Sequence, residues 1–259
     1  MVNNLKNLQW NCRSIRNKHD FQINNAKYDI ILLVETWLKE DDSFKLRGFT
    51  TVRFDRLKRK GGGIAILIKE GLLFDKIVLN FTSHSLETGS IVIDTDFGEI
   101  LITVCYRCQE FNISLREWTS FLNALVQANI RHTIVAGDFN AHHPLWGSPK
   151  SCSNGNLIVD NLDFDTLVLL NNGNPTRIGL SCSGNNYSNL DLTFASPDLA
   201  LLVSNWDVLE DKWGSDHFPV EFQVGIEPSF QKTVFYKYNF KKMNLELFLS
   251  LKDNRGMTE

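Results

Sequence analysis

The sequence predicts a layered α/β fold, and three features point there. Short apolar or alternating runs recur along most of the chain between turn signals, the pattern of buried and half-buried strands. One stretch, Ser114 to Ala128, carries a clear helical stripe of Leu115, Trp118, Phe121, Leu122 and Leu125. A chain of 259 residues with 43% hydrophobic content also suits one α/β domain with a real core.

Taken in order, Leu5 to Trp10 reads as a loosely alternating strand that ends at Asn11. Cys12 to Ala26 reads as a short, weak helix, because its apolar positions are sparse. Ile30–Val34 is apolar throughout and Glu35 follows it directly, so a carboxylate stands at the exit of a buried strand. Phe49 to Phe54 is a strand, and Arg53, Arg56, Lys58, Arg59 and Lys60 then crowd a loop before Gly61-Gly62-Gly63. That loop is a solvated hairpin tip, a basic finger for a nucleic-acid backbone, or both. It is not a P-loop, because no Gly-Lys-Ser/Thr follows.

Ile64–Ile68, Lys76–Asn80, Ser90–Asp94 and Ile100–Cys105 form a mostly antiparallel set, with Tyr106 at the end of the last strand. Ser114 caps the helix that follows, and Glu117 completes a capping box. An apolar run from Thr133 to Ala136 stops at Gly137. Asp138 and Asn140 come next, two apart and hence on one side of an extended chain. Asn156 to Leu162 reads as a second helix, Leu167–Leu170 as a strand and Thr176 to Asn189 as a polar loop. Strands then run over Leu190 to Phe194 around Asp191, over Trp206–Leu209, and over Pro219–Val224 after Ser215-Asp216-His217.

Composition narrows the function. A net charge of −3 argues against a protein that coats nucleic acid, though not against an enzyme that meets DNA over one face. No apolar run approaches a membrane span, so no membrane partner is expected. The N-terminus is polar, not a signal peptide, and the five cysteines are irregularly spaced. Reduced thiols in a cytosolic or nuclear protein are expected. Cys105 and Cys108 form a lone CxxC with no second pair, which reads as chance rather than a zinc site.

The polar residues at strand ends are Asn11, Glu35, Tyr106, Asp138, Asn140, Asp191, Asp216 and His217. Read alone, Ser-Asp-His is a turn with a surface histidine, and Asp191 faces solvent. Read together, their types suit phosphodiester hydrolysis. A carboxylate is a hard ligand for Mg2+, an imidazole works near neutral pH, and a second carboxylate can orient it. Amide and phenol donors can meet charge on phosphate oxygens.

At this point the sequence resembles a known family. Gln9-Trp-Asn-Cys-Arg-Ser-Ile15, Val34-Glu-Thr-Trp-Leu38, Gly61-Gly-Gly-Ile-Ala-Ile-Leu67, Val104-Cys-Tyr-Arg107, Gly137-Asp-Phe-Asn-Ala141, Asn189-Leu-Asp-Leu-Thr193 and Ser215-Asp-His217 carry the likeness. They resemble the endonuclease/exonuclease/phosphatase superfamily, and within it the apurinic-endonuclease-like domain of jockey-type non-LTR retrotransposons. The resemblance implies a DNase-like four-layer α/β sandwich, two mixed β-sheets packed face to face with flanking helices. It implies a Mg2+ site, open to Mn2+, at Asn11 and Glu35. Asp138 would position or deprotonate water, and Asn140 and Tyr106 would bind the phosphate. Asp191 would orient a transition-state-stabilising His217, and Asp216 would support the network.

The implied substrate is double-stranded DNA, cut in the nucleus to a nick with a 3′-hydroxyl. Arg13, Arg16, Arg53, Arg56, Lys58, Arg59, Lys60 and His143 are the candidate DNA contacts. Ser188 stands where repair members of the family carry an aromatic wall, which favours intact duplex over abasic sites. Residues 1–227 would form the domain, and 228–259 a linker toward a reverse transcriptase that this chain lacks. A phosphatase of the same superfamily and a non-catalytic DNA-binding remnant are the rival readings.

Overall fold

The apolar run Ile30–Val34 is buried on both faces, and the architecture follows from that fact. A computed structural model describes residues 4–18, 21, 26–56, 59–163, 165–181 and 184–230. Two six-stranded mixed sheets dominate it. The first contains β1 (Leu5–Asn11), β2 (Ile30–Val34), β3 (Phe49–Phe54), β4 (Ile64–Lys69), β13 (Val203–Val208) and β14 (Val220–Val224), in the order β13-β14-β1-β2-β4-β3. The second contains β5 (Phe74–Ile77), β6 (Leu86–Thr95), β7 (Gly98–Arg107), β8 (His132–Asp138), β9 (Val168–Leu169) and β12 (Asp191–Ala195), in the order β5-β6-β7-β8-β12-β9. A separate hairpin pairs β10 (Arg177–Ser181) with β11 (Gly184–Ser188).

Side-chain alternation sorts the core. Leu32, Val34, Ile64 and Ile66 of the first sheet meet Ile91, Ile102, Val104 and Ala136 of the second in one buried cluster, so the sheets pack face to face. Their neighbours Ile31, Leu33, Ala65 and Leu67 point outward, beneath Trp10, Phe21 and Trp213. On the far side of the second sheet, α1 (Leu115–Gln127) sets Trp118, Phe121 and Leu125 on Leu101, Cys105 and Val135, and α2 (Ser153–Asp160) adds Ile158. Each such aliphatic or aromatic side chain contributes about 1.5–3 kcal/mol by leaving water. The short α3 (Pro197–Ala200) follows β12.

The pairing brings the polar strand ends to one edge. β1 runs parallel to β2, with Asn11 opposite Val34, and β7 runs parallel to β8, with Tyr106 opposite Asp138. β12 is antiparallel to β8 and starts at that edge, with Asp191 opposite Asp138. β14 is antiparallel to β1, with Val220 opposite Gln9, so the residues before Val220 overhang the same edge. Gln9 joins the two sheets just below, donating to Gly137 O at 3.2 Å and accepting from Thr193 Oγ1 at 2.9 Å.

Most expected elements occur, and the exceptions are informative. Over the described residues 12–18 the chain turns and is not helical, with Arg13, Ser14 and Asn17 at positive φ. The backbone there is held instead by Ser14 N and Ile15 N donating to Glu35 O and Thr36 O. The polar stretch Thr176 to Asn189 is a β-hairpin rather than a loop. Its register comes from the ladder and not from apolar alternation. The second helix starts earlier than expected, at Ser153. Cys12, Cys105, Cys108 and Cys152 are free, and among the described residues the one cluster able to hold a metal contains no cysteine. The chain stays paired to the second sheet past residue 227, with Pro228 opposite Thr95 and Phe230 opposite Leu72. Residues 231–259, most of the expected linker, lie outside the described residues, as does Lys58. Among the described residues no helix is long and apolar enough to cross a membrane.

Candidate active site

Asp138 is fully buried at the end of β8 and is the centre of the site. The strand reaches it through Gly137, at φ 147°, where a Cβ would lie 1.9 Å from Cys105 O. Only glycine allows β8 to run that close to β7. The Asp138 carboxylate accepts from Asn140 N at 2.8 Å and, at Oδ2, from Asn11 Nδ2 at 2.8 Å and Asn140 Nδ2 at 3.2 Å. Burial, with the nearby Asp191 charge, pushes its pKa up to about 7, despite the opposing His217 and these hydrogen bonds.

His217 Nδ1 lies 2.7 Å from Asp191 Oδ2, and its Nε2 lies 3.8 Å from Asp138 Oδ2. Burial alone would lower the imidazole pKa. Asp191 and Asp138 together outweigh it and raise the value to about 9, so His217 carries its proton at neutral pH. Both partners are fixed from beneath. Thr176 Oγ1 accepts from Leu190 N and Asp191 N, each at 3.1 Å, while Ser215 Oγ accepts from His217 N at 3.1 Å and donates to Asn11 O at 2.8 Å.

Glu35 stands across from this pair. Asn11 Nδ2 bridges the two carboxylate centres, 3.1 Å from Glu35 Oε1 and 2.8 Å from Asp138 Oδ2. Tyr106 is buried beside them. Burial first, then the charges of Glu35 and Asp138, push its phenol far above the ordinary range, so it keeps its hydroxyl proton. Above these groups opens a cleft of about 310 Å3, lined by Arg13, Glu35, Trp37, Arg56, Lys60, Tyr106, Arg177, Asp216 and His217, among others.

The remaining candidates divide. Asn140 is beside Asp138 and holds its amide inward, donating to Arg107 O at 2.8 Å and accepting from Gln109 Nε2 at 2.8 Å. Asp216 faces cations: Arg177 donates to it at 2.9 and 3.1 Å, and Arg13 lies 3.5 Å away. Burial acts to raise its carboxyl, but His217 first and then these arginines hold it below the usual range. Arg56 lines the cleft, pairs with Glu87 and covers the Tyr106 ring at 5.5 Å. Arg16 pairs with Asp42, Arg53 with Asp55, and Arg59 with Glu110, and none of the three lines the cleft. His143 caps the turn at Pro144–Trp146 through Nδ1, 3.1 Å from Leu145 N, and is outside the cleft as well.

Trp37, Gln109, Glu110 and Arg177 line the cleft and had no role in the sequence reading. Arg177 sat in a stretch without periodicity, and it reaches Asp216 because β10 pairs with the chain at His217. Trp37 follows a strand-end carboxylate by two positions, a signal that was available.

The donors suit a divalent cation. Ligand atoms of Asp138, Asp191 and His217 lie within 4.8 Å of one another, and Asp191 Oδ1 is buried with no hydrogen-bond partner. Carboxylate oxygens are the ligands that hard cations take. The metal candidates from the sequence, Glu35 and Asn11, lie beside this cluster rather than within it.

Comparison with known proteins agrees with this geometry. Residues 100–221 match the family described as endonuclease-reverse transcriptase. The solved endonuclease domain of TRAS1, a telomere-specific non-LTR retrotransposon, superposes with a TM-score of 0.65 at 22% identity, covering 85% of this chain and 97% of that one. The Xenopus laevis APE2 catalytic domain gives 0.64 at 16% identity, covering 88% and 94%. The chain thus has the DNase-like α/β sandwich fold of these structures, and its residues 100–221 are similar to the endonuclease-reverse transcriptase family.

Its sequence relatives are proteins of mobile elements. It is 29% identical over 233 residues to the probable RNA-directed DNA polymerase from transposon BS of Drosophila melanogaster, and 28% identical over 261 residues to that of transposon X-element from the same organism. These alignments take in 86% and 95% of this chain but 24% and 27% of the relatives, so the chain spans about a quarter of their length.

Proposed function

We propose that this domain is a Mg2+-dependent DNA endonuclease that nicks duplex DNA in the nucleus. The nick would leave a 3′-hydroxyl, the primer end for a reverse transcriptase in the intact element. The observation that carries the reading is the pairing at the cleft floor. A buried carboxylate lies 3.8 Å from an imidazole that is locked at 2.7 Å onto a second buried carboxylate.

Glu35 would hold the cation, with Asn11 aligning it against Asp138. When bound, the cation withdraws charge from the phosphate and makes water a better nucleophile. The chain's own groups do the rest. Asp138, with a pKa near neutral, accepts a proton from the attacking water. The water oxygen bonds to phosphorus, the P–O3′ bond breaks, and the 3′ oxygen leaves with the bonding pair and gains a proton. Protonated His217 faces the charge that builds on the phosphoryl oxygens, and Tyr106 offers its retained hydroxyl proton to the same oxygens. Asp191 keeps the imidazole in one orientation throughout.

The test is nicking of supercoiled plasmid with Mg2+ or Mn2+. Wild type is expected to convert plasmid to the open circle, and His217→Ala and Asp138→Ala to lose at least about 100-fold of that rate. A soluble phosphomonoester run alongside separates a phosphatase. Equal nicking by the variants would remove these roles.

A further inference from the structure

Trp37 is conformationally costly where it stands. Its φ is 54°, in the left-handed region, and so is that of Glu35 two residues before it. A bulky residue there is strained, and surrounding contacts must offset that strain. Trp37 N donates to Gly62 O at 3.0 Å, and Thr36 N to Gly63 O at 3.2 Å. The indole edge is fixed too, with Nε1 3.2 Å from Glu35 Oε2. Yet the ring is 40% exposed, at the mouth of the cleft that Arg13, Arg56 and Lys60 also line.

The triple glycine now has a reason. A Cβ on Gly62 would strike the Arg56 guanidinium at 2.3 Å, and one on Gly63 would come within 2.9 Å of Thr36 Oγ1. One on Gly61 would sit 3.6 Å from the Trp37 indole nitrogen. The bare backbone therefore lets Arg56 fold inward over Tyr106 and leaves the indole uncovered.

We propose that Trp37 is the aromatic seat for the nucleoside beside the phosphate that is cut, an inference that rests on the endonuclease reading above. An orientationally fixed, exposed indole in a cleft lined by cations matches a base that has left the stack, flanked by phosphates, because aromatic platforms interleaved with positive charge hold single strands without sequence readout.

The experiment measures binding of a fluorescently labelled mixed-sequence duplex to the whole chain in EDTA, over a range of salt concentrations, with circular dichroism melts as the check on folding. Trp37→Ala is expected to weaken binding about tenfold at every salt concentration, with an unchanged slope of log K against log salt, because stacking releases no counterions. Trp37→Phe, which keeps a ring, is expected to stay within about threefold of wild type. Wild-type affinity in Trp37→Ala, or a slope reduced by about 1 as for a lost phosphate contact, would overturn the proposal. Plasmid nicking measured in parallel keeps the two readings apart. A wild type that binds duplex without cutting refutes the nuclease, while the affinity comparison still judges Trp37.

Discussion

Asp191→Asn is the sharpest perturbation of the site, because it removes a charge and little else. The side chain keeps its shape, and its oxygen can still accept the Nδ1 proton of His217. His217 has its pKa raised from the ordinary 6.5 to about 9 in spite of burial. At about 1.4 kcal/mol per unit, the flanking carboxylates supply roughly 3 kcal/mol of proton affinity beyond the desolvation they overcome. Asp191 is the nearer, at 2.7 Å against 3.8 Å for Asp138, and alone makes the hydrogen bond. An opposite charge at that range moves a pKa by about 1–3 units, so its loss should bring His217 close to neutral.

The falling limb of the nicking profile therefore shifts toward acid. In wild type, activity should rise as Asp138 deprotonates near pH 7 and fall as His217 deprotonates near pH 9. In Asp191→Asn the falling limb should come in about two units earlier, with the best rate down about 100-fold. Stability follows the same sign. A histidine whose folded pKa is raised contributes stability that is fully present below pH 6.5 and lost as pH rises through about 9. The mutant should lack that alkaline fall in melting temperature. The assay is plasmid nicking from pH 6 to 10 in saturating Mg2+, with melts at each pH. A falling limb at the same pH in both proteins would refute the assigned origin of the His217 charge.

Other outcomes follow from single contacts. Gly137→Ala forces a Cβ to within 1.9 Å of Cys105 O and should cost at least about 2 kcal/mol in urea unfolding, pulling β7 and β8 apart under the site. Glu117 closes the capping box with Ser114 and also binds Ser83 Oγ at 2.7 Å and His84 N at 2.9 Å. Burial opposes these hydrogen bonds but does not prevent them from holding its carboxyl far below the usual range. That stability is present above the ordinary glutamate pKa and lost as pH falls through the folded value. Glu117→Gln should accordingly flatten the acid side of the melting curve. Ser114→Ala should cost about 1 kcal/mol, measured the same way.

Much of this was legible in the chain itself because local signals and pairing agreed. Ile30–Val34, Phe49–Phe54 and the capped helix at Leu115–Gln127 sit where apolar runs and the capping box put them. The cleft was legible for a topological reason. Residues that end parallel strands, such as Asn11, Tyr106 and Asp138, share an edge however far apart they are in sequence. The hairpin holding Arg177 was not legible, because glycines and polar residues around Ile178, Leu180 and Tyr187 dilute any strand signal in β10 and β11. Nor was the turn at 12–18, where hydrogen bonds to Glu35 O and Thr36 O override weak helical spacing. The partner of a surface cation is equally hidden, since it depends on which acid the fold brings beside it.

That last point changes what salt should do to DNA binding. The basic residues read from the sequence suggest a long row of phosphate contacts, but a cation tied to a carboxylate on its own surface has fewer counterions to release. Arg16, Arg53 and Arg59 are tied in this way, to Asp42, Asp55 and Glu110. Arg53 is held further by the carbonyls of Lys39 and Asp42. Arg13, Arg56, Lys60 and Arg177 line the cleft, but Arg56 is itself tied to Glu87, and Arg13 and Arg177 share Asp216. Even if all four meet one phosphate each, log K should fall against log salt with a slope no steeper than about −3.6, at about −0.9 per contact on duplex DNA. Lys60→Ala should make that slope shallower by about 1, and Arg53→Ala should leave it unchanged. A slope near −7, or equal losses from both variants, would mean that the outer arginines leave their acidic partners to meet DNA. The cleft would then be only part of the surface that the duplex covers.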